Sequence, residues 1–284
     1  MNTEVAARVA QVRERVATAA LRCGRSPSEV CIVAVAKTQP VEAVQAAVDA
    51  GITNIGENYV QEAQAKAAKV RGPVRWHMVG HLQRNKVRAA LQLFAMIHSV
   101  DRVALLEEIE ARAEQLGREF VDVLFEVNLG GEATKSGVAP HALGELFAAL
   151  ERCPRVRVRG LMCIPPPTES AERSRPFFRR LRELRDQWQA AVRGRAELTE
   201  LSMGMSDDFE VAIEEGATMV RIGRALFGEH PYSAPCARAG QSVSSSIISG
   251  LPPSSPCSAI WSSFCWVSVR YSCSTGSGWL SGRA

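Results

Sequence analysis

Short apolar runs alternating with segments of helical character recur across residues 31–223, and this alternation restricts the fold more than any other feature of the chain. The first run, 31–37 (CIVAVAK), sets the pattern. Its β-branched and small residues read as a strand buried on both faces, as in parallel sheets. Further runs fall at 53–57, 75–80, 94–100, 121–129, 156–164, 199–203 and 218–223. Helices are expected at 1–22, at 40–50 between Pro40 and Gly51, and at 58–70, 82–93, 140–152 and 171–192. Another runs from a cap at Asp101 to about residue 116, and one covers 206–215, where Asp207 and Glu210 have capping-box spacing. Eight strands separated by helices are the count of a single-domain α/β fold of the (β/α)8 TIM-type barrel class. A doubly wound open sheet is the rival, but no G-x-G-x-x-G follows the first strand.

Composition divides the chain at residue 230. From 231 to 284 there is no Asp, Glu or Lys, and only Arg238, Arg270 and Arg283 carry charge. The first 230 residues therefore balance 31 basic against 30 acidic side chains, which gives no sign of a nucleic-acid-binding patch. Serine supplies 16 of the last 54 residues, among Gly, Pro, Cys and three Trp with no sustained period, so 231–284 reads as a low-complexity, unstructured tail. The expected domains are thus 1–230, the barrel, and 231–284, the tail. No C-x-x-C pair occurs among the eight cysteines, which argues against structural zinc and for reduced thiols and a cytoplasmic location. The first 22 residues are amphipathic, unlike a signal peptide, and no stretch has the roughly 20 apolar residues of a membrane span.

Barrel active sites lie at the carboxyl ends of the strands. There the chain delivers Lys37 after the first strand, Asn58 after the second, and His77 and His98 on the third and fourth. Asn128 ends the fifth, Met162 the sixth, Ser202-Met203-Gly204-Met205-Ser206 the seventh, and Arg221-Ile222-Gly223-Arg224 the eighth. Loops after strands seven and eight commonly hold phosphate, and Ser202, Gly204, Ser206, Gly223 and a helix starting near Ser206 suit an anion. A lysine at such a mouth, partly desolvated and so lowered in pKa, is a carbonyl-reactive amine. Lysine opposite a phosphate cradle suggests pyridoxal 5′-phosphate, and Arg221 can then only donate a hydrogen bond to the pyridine nitrogen. His77 and His81 are four apart, but on a strand and its loop, so the helical metal-site geometry does not apply. His98 reads as a packed rim residue, and Asp207 and Asp208 as first-turn helix carboxylates.

At these residues the chain resembles the pyridoxal phosphate homeostasis proteins (the YggS/PROSC family), whose barrel is similar to the N-terminal domain of alanine racemase. The stretches that carry the resemblance are AVAKTQP at 34–40, GENYVQE at 56–62, WHMVGHLQRNK at 76–86, KSG at 135–137, GLMCIPP at 160–166, LSMGMSDD at 201–208 and VRIGRALFG at 220–228. The resemblance implies that Lys37 carries the cofactor as an aldimine, that Ser202, Ser206 and Gly223 bind its phosphate, and that Arg221 faces the ring nitrogen. Asn58 and Met162 would line the ring, with Met205 and Arg224 completing the cofactor-binding set. Two positions depart from the family pattern: His81 stands where members usually have Pro, and Arg224 where they have Thr. Arg224 replaces a phosphate-binding hydroxyl with a charge, or swings outward.

A racemase needs two bases on opposite faces of the cofactor. In the racemases that this barrel resembles, the second is a Tyr from a separate β domain of a partner subunit. Here Tyr59 starts a helix, Tyr232 and Tyr271 lie in or beside the tail, and no second domain of adequate size is present. The expectation is therefore a monomeric pyridoxal phosphate carrier without strong catalysis, with apo-enzymes as recipients. A pyridoxal-dependent amino-acid racemase and a barrel enzyme acting on another phosphate ester are the alternatives.

Overall fold

The computed structural model describes residues 2–132, 136–192 and 196–228. Helix α1 (Asn2–Arg22) leads into β1 (Cys31–Val35), α2 (Val41–Asp49), β2 (Asn54–Glu57), α3 (Val60–Ala67) and β3 (Arg75–Met78). There follow α4 (Val87–Leu93), β4 (Met96–Val100), α5 (Val103–Gln115), β5 (Val121–Glu126), α6 (Leu143–Ala149) and β6 (Val156–Met162). The chain then runs through α7 (Arg175–Ala191), β7 (Glu200–Ser202), α8 (Phe209–Glu214), β8 (Met219–Ile222) and the single turn α9 (Arg224–Phe227). All eight strands are parallel, in chain order, and β8 closes the barrel on β1 with Val33 opposite Arg221. The expected (β/α)8 barrel is the fold. The unpatterned segment 231–284, with Tyr232 and Tyr271, and Lys135 of the KSG stretch lie outside the described residues.

Successive strand residues point to opposite faces, so each strand feeds two cores. Val33, Val79, Met96, Leu124, Met162 and Met219 form a small cluster filling the barrel. Ala34, Ile97, Phe125, Leu161 and Val220 instead face the helices, where Leu105, Ile109, Phe178, Leu181 and Phe209 pack against them. Each fully buried Leu or Phe contributes about 2 kcal/mol. The outer layer, with many such residues, therefore supplies most of the apolar stabilisation, and the interior can hold polar groups.

Four sequence expectations are corrected at element ends. The first strand stops at Val35, not at 37, because the backbone turns left-handed at Thr38 (φ 62°). Asp101 does not cap α5; Arg102 occupies that position, and the Asp101 carboxylate lies against Arg102 and His81. Helix α8 begins at Phe209, not at 206, since Asp208 holds the cap position and its carboxylate accepts the Met205 N–H at 2.7 Å. Asp207 and Glu210 form no capping box, because Asp207 pairs with Arg224 and Glu210 with Arg15.

No helix among the described residues is long and apolar enough to cross a membrane, and none of their His, Cys, Asp and Glu side chains form a metal-holding group. Cys23, Cys31, Cys153 and Cys163 are free thiols. Burial pushes Cys31 and Cys153 up to about 11 and Cys163 to about 12, which leaves them poorly reactive.

Candidate functional site

The carboxyl ends of the strands surround a cavity of about 480 Å³. Lys37, one turn past β1, reaches into it from an exposed position, and no described residue pairs with its ammonium. Asn58 follows β2 and is pinned by the loop after β3: a Cβ on Gly80 would lie 2.7 Å from the Asn58 Cα and carbonyl oxygen, so only glycine permits that approach. Gly204, at φ 89°, bends the chain after β7 and places Met205 and Ser206 on the wall; a side chain there would meet Ala212 at 2.5 Å. From β8 come Arg221, Gly223 and Arg224. The Ser206 hydroxyl accepts the Ala225 N–H at 3.2 Å, joining the two loops on that side. Arg224 lines the cavity and is paired with Asp207 across the rim.

Beneath the cavity a line of polar side chains crosses the barrel interior. Arg221 is 4% exposed; one guanidinium nitrogen donates to Ser202 Oγ at 2.7 Å and another to the Cys163 carbonyl at 2.8 Å. Ser202 Oγ lies 3.0 Å from His98 Nδ1, His98 Nε2 lies 3.0 Å from His77 Nδ1, and His77 Nε2 lies 3.0 Å from Asn54 Oδ1. An amide oxygen only accepts, so His77 Nε2 carries a proton and its Nδ1 accepts. His98 Nε2 must then donate, and its Nδ1 accepts the Ser202 proton. Every link is satisfied with both imidazoles neutral. Burial agrees with this: it pulls His77 down to about 4, with Arg75 adding repulsion, and takes His98 well below the ordinary histidine value.

Of the nine residues singled out from the sequence, Lys37, Asn58, Met205, Ser206, Arg221, Gly223 and Arg224 share the cavity wall. Ser202 and Met162 do not. Ser202 is fully buried with its hydroxyl committed to Arg221 and His98, so it holds the arginine and does not face an anion. Met162 belongs to the apolar cluster inside the barrel. His98, expected on the rim, is interior, because position 98 of β4 points inward. Asn128 folds its own loop, accepting from Gly131 N at 3.0 Å and donating to the Glu132 carbonyl at 2.9 Å.

The residue that sequence reading missed is Glu126, the last of β5. It lines the cavity, is 5% exposed, and its carboxyl has no hydrogen-bond partner among the described residues. Burial pushes its carboxyl up to about 7; Asp101 adds to the rise and Arg221 opposes it. A signal was present: Glu126 shares the face of β5 that carries Leu124 of the interior cluster, so an acid at the strand's carboxyl end is aimed into the barrel mouth.

The model of the alanine racemase N-terminal domain family matches residues 8–231. The pyridoxal phosphate homeostasis protein of Aquifex aeolicus is 46% identical over 226 residues, spanning 79% of this chain and 98% of that protein. Its namesake in Pseudomonas aeruginosa is 44% identical over 232 residues, spanning 81% and 98%. Among solved structures, PipY of Synechococcus elongatus with PLP bound superposes with a TM-score of 0.67 at 38% identity, covering 76% of this chain and all of PipY. With its fold, its cavity and these likenesses together, the chain belongs to the alanine racemase N-terminal domain family and, within it, to the pyridoxal phosphate homeostasis proteins.

Proposed function

We propose that this protein binds pyridoxal 5′-phosphate and serves intracellular homeostasis and delivery of that cofactor, without strong catalysis. The observation that carries the reading is the convergence of an unpaired lysine amine, a buried arginine and a Ser/Gly-lined recess on one cavity. When bound, the cofactor supplies an aldehyde that condenses with a primary amine. Lys37 is the amine placed to hold it covalently. Arg221, fixed from behind by Ser202 and the Cys163 carbonyl, presents a donor to the ring nitrogen, and a guanidinium does not give up its proton. Ser206, Gly223 and the first turn of α9 take the phosphate, with the Arg224 charge beside them. Asn58 and Met205 bound the ring; the place expected for Met162 falls to Val79, which lines the cavity.

Tyr59, the one tyrosine among the described residues, is exposed and off the cavity wall, which supports a carrier over a racemase. Reduced, poorly reactive thiols support a cytoplasmic location, and we extend the reading to a monomer that gives its cofactor to apo-enzymes. The test is to load the full chain with pyridoxal phosphate, reduce with borohydride and map the adduct. A visible absorbance band and a mass increment on Lys37, both absent in Lys37→Ala, are expected. Failure of the wild-type protein to form the adduct sinks the reading, and α-hydrogen exchange of alanine at enzyme-like rates would replace the carrier with a racemase.

A further inference from the structure

Lys37 sits on a turn that is held from below by a buried ion pair. Lys66 of α3 is 7% exposed, and its ammonium donates to Glu57 Oε1 at 2.7 Å and to the carbonyl of Ala36 at 2.6 Å. Glu62, one helical turn earlier, accepts the Thr38 N–H at 3.1 Å and lies 3.6 Å from the Lys66 ammonium. The peptide groups on both sides of Lys37 are thus bound by side chains of the same helix. Between them the Thr38 hydroxyl donates to the Lys37 carbonyl at 2.6 Å, and Gln39 N–H closes the turn on Ala36 at 3.0 Å. Thr38 is the one non-glycine residue of positive φ among the described residues, a conformation that β-branched side chains disfavour and that persists only when its surroundings fix it. Glu57 is fully buried, and its second oxygen, Oε2, has no hydrogen-bond partner. A buried ion pair with an orphan oxygen is a poor way to gain stability, since an apolar pair of equal volume commonly does as well or better.

We propose that Glu57, Lys66 and Glu62 are positioning residues for Lys37: they clamp the backbone on either side of it and so aim its amine over the cavity. Glu57 anchors Lys66, Lys66 fixes Ala36, and Glu62 fixes Thr38. The proposal rests on Lys37 being the cofactor-binding amine, and its test separates the two ideas.

Glu62 is more than a third exposed on its side chain, so its variants keep the fold. In the cofactor-free protein, hydrogen exchange at the Thr38 amide is expected to accelerate about tenfold in Glu62→Ala and to stay near wild type in Glu62→Gln, whose carbonyl oxygen still accepts. The rate of borohydride-trappable loading of Lys37 should follow the same order, about tenfold slower in Glu62→Ala and restored in Glu62→Gln. The double variant Glu57→Leu/Lys66→Met replaces the ion pair by apolar groups. It should unfold no more easily than wild type yet load about tenfold more slowly. Wild-type exchange and wild-type loading in both Glu62→Ala and the double variant overturn the clamp. A wild-type protein that forms no adduct at all sinks the cofactor reading instead, and the clamp then stands or falls on Thr38 exchange alone.

Discussion

From Arg221 to Asn54, five side chains inside the barrel are bonded in sequence, whereas at the mouth the Lys37 ammonium and the Glu126 carboxyl meet no hydrogen-bonding partner among the described residues. The two sets lie in one barrel and on neighbouring strands, yet they follow different rules. An interior polar group must be matched by the protein, because leaving it bare in a water-poor space costs about 1–3 kcal/mol. At the mouth the match can come from a bound molecule. The interior line is therefore structure, which holds Arg221 in place; the mouth is where binding free energy is available. Ser202 shows the divide: a hydroxyl that sequence places among the anion ligands is taken by the interior line and is lost to the mouth.

The largest effect should come from cutting the interior line. His98→Ala removes a fully buried ring and strands both Ser202 and His77, so a loss of about 4 kcal/mol of unfolding free energy is expected from urea titration of the cofactor-free protein. A loss below about 1 kcal/mol would mean that water replaces the imidazole and that the interior is not sealed.

Next comes Glu126, where the comparison predicts a pH dependence with opposite signs in the two regions. The Glu126 carboxyl is raised from its ordinary 4.5 to about 7, so folding binds a proton between these values. Its charged form therefore costs stability above pH 7, and that cost is relieved as pH falls. His77 is lowered from 6.5 to about 4, so folding excludes a proton; its contribution is intact above 6.5 and is lost as pH falls toward 4. Each amounts to about 3 kcal/mol across its window. In the wild-type protein the two slopes oppose each other between pH 5 and 7. Glu126→Gln should be more stable than wild type by about 3 kcal/mol at pH 8 and nearly equal to it at pH 5, exposing the histidine slope. Equal stability at both pH values would show that Glu126 is solvated or paired.

How much of this was legible follows from how far each interaction reaches along the chain. The barrel was legible because every βα unit carries its own strand pattern, and the gathering of Lys37, Ser206, Arg221 and Gly223 on one cavity wall was legible because a barrel brings its strand ends together. The strand ends themselves were set by tertiary contacts: the first run looked like strand to residue 37, but Glu62, 24 residues away, helps hold the turn at Thr38. The Ser202–His98 bond spans 104 residues, and nothing local in either segment announces it. Asp207 likewise had the spacing of a capping residue, and only the fold brings it to Arg224.

A smaller effect is expected at the rim. Asp207 and Arg224 are both more than half exposed on their side chains, so Asp207→Asn should change stability by less than about 0.5 kcal/mol. Freed from that carboxylate, the guanidinium should tighten cofactor binding about threefold at low salt, with the gain vanishing at high salt. Fluorescence titration at two ionic strengths measures both, and an unchanged affinity would place Arg224 outside the phosphate recess.

The smallest stability change should come from the residue whose loss most affects binding. Lys37 is exposed, and no described residue pairs with its ammonium, so Lys37→Ala removes no ion pair and leaves no cavity. Unfolding free energy should stay within about 0.5 kcal/mol of wild type while covalent loading disappears. The contrast with His98→Ala is the point: the interior residue should be worth several kcal/mol to the fold, and the mouth residue, the amine proposed to hold the cofactor, almost nothing. A destabilisation by Lys37→Ala comparable to that of His98→Ala would mean that the amine is already engaged by the protein, and the distinction between a self-satisfied interior and an open mouth would fail at the residue that defines it.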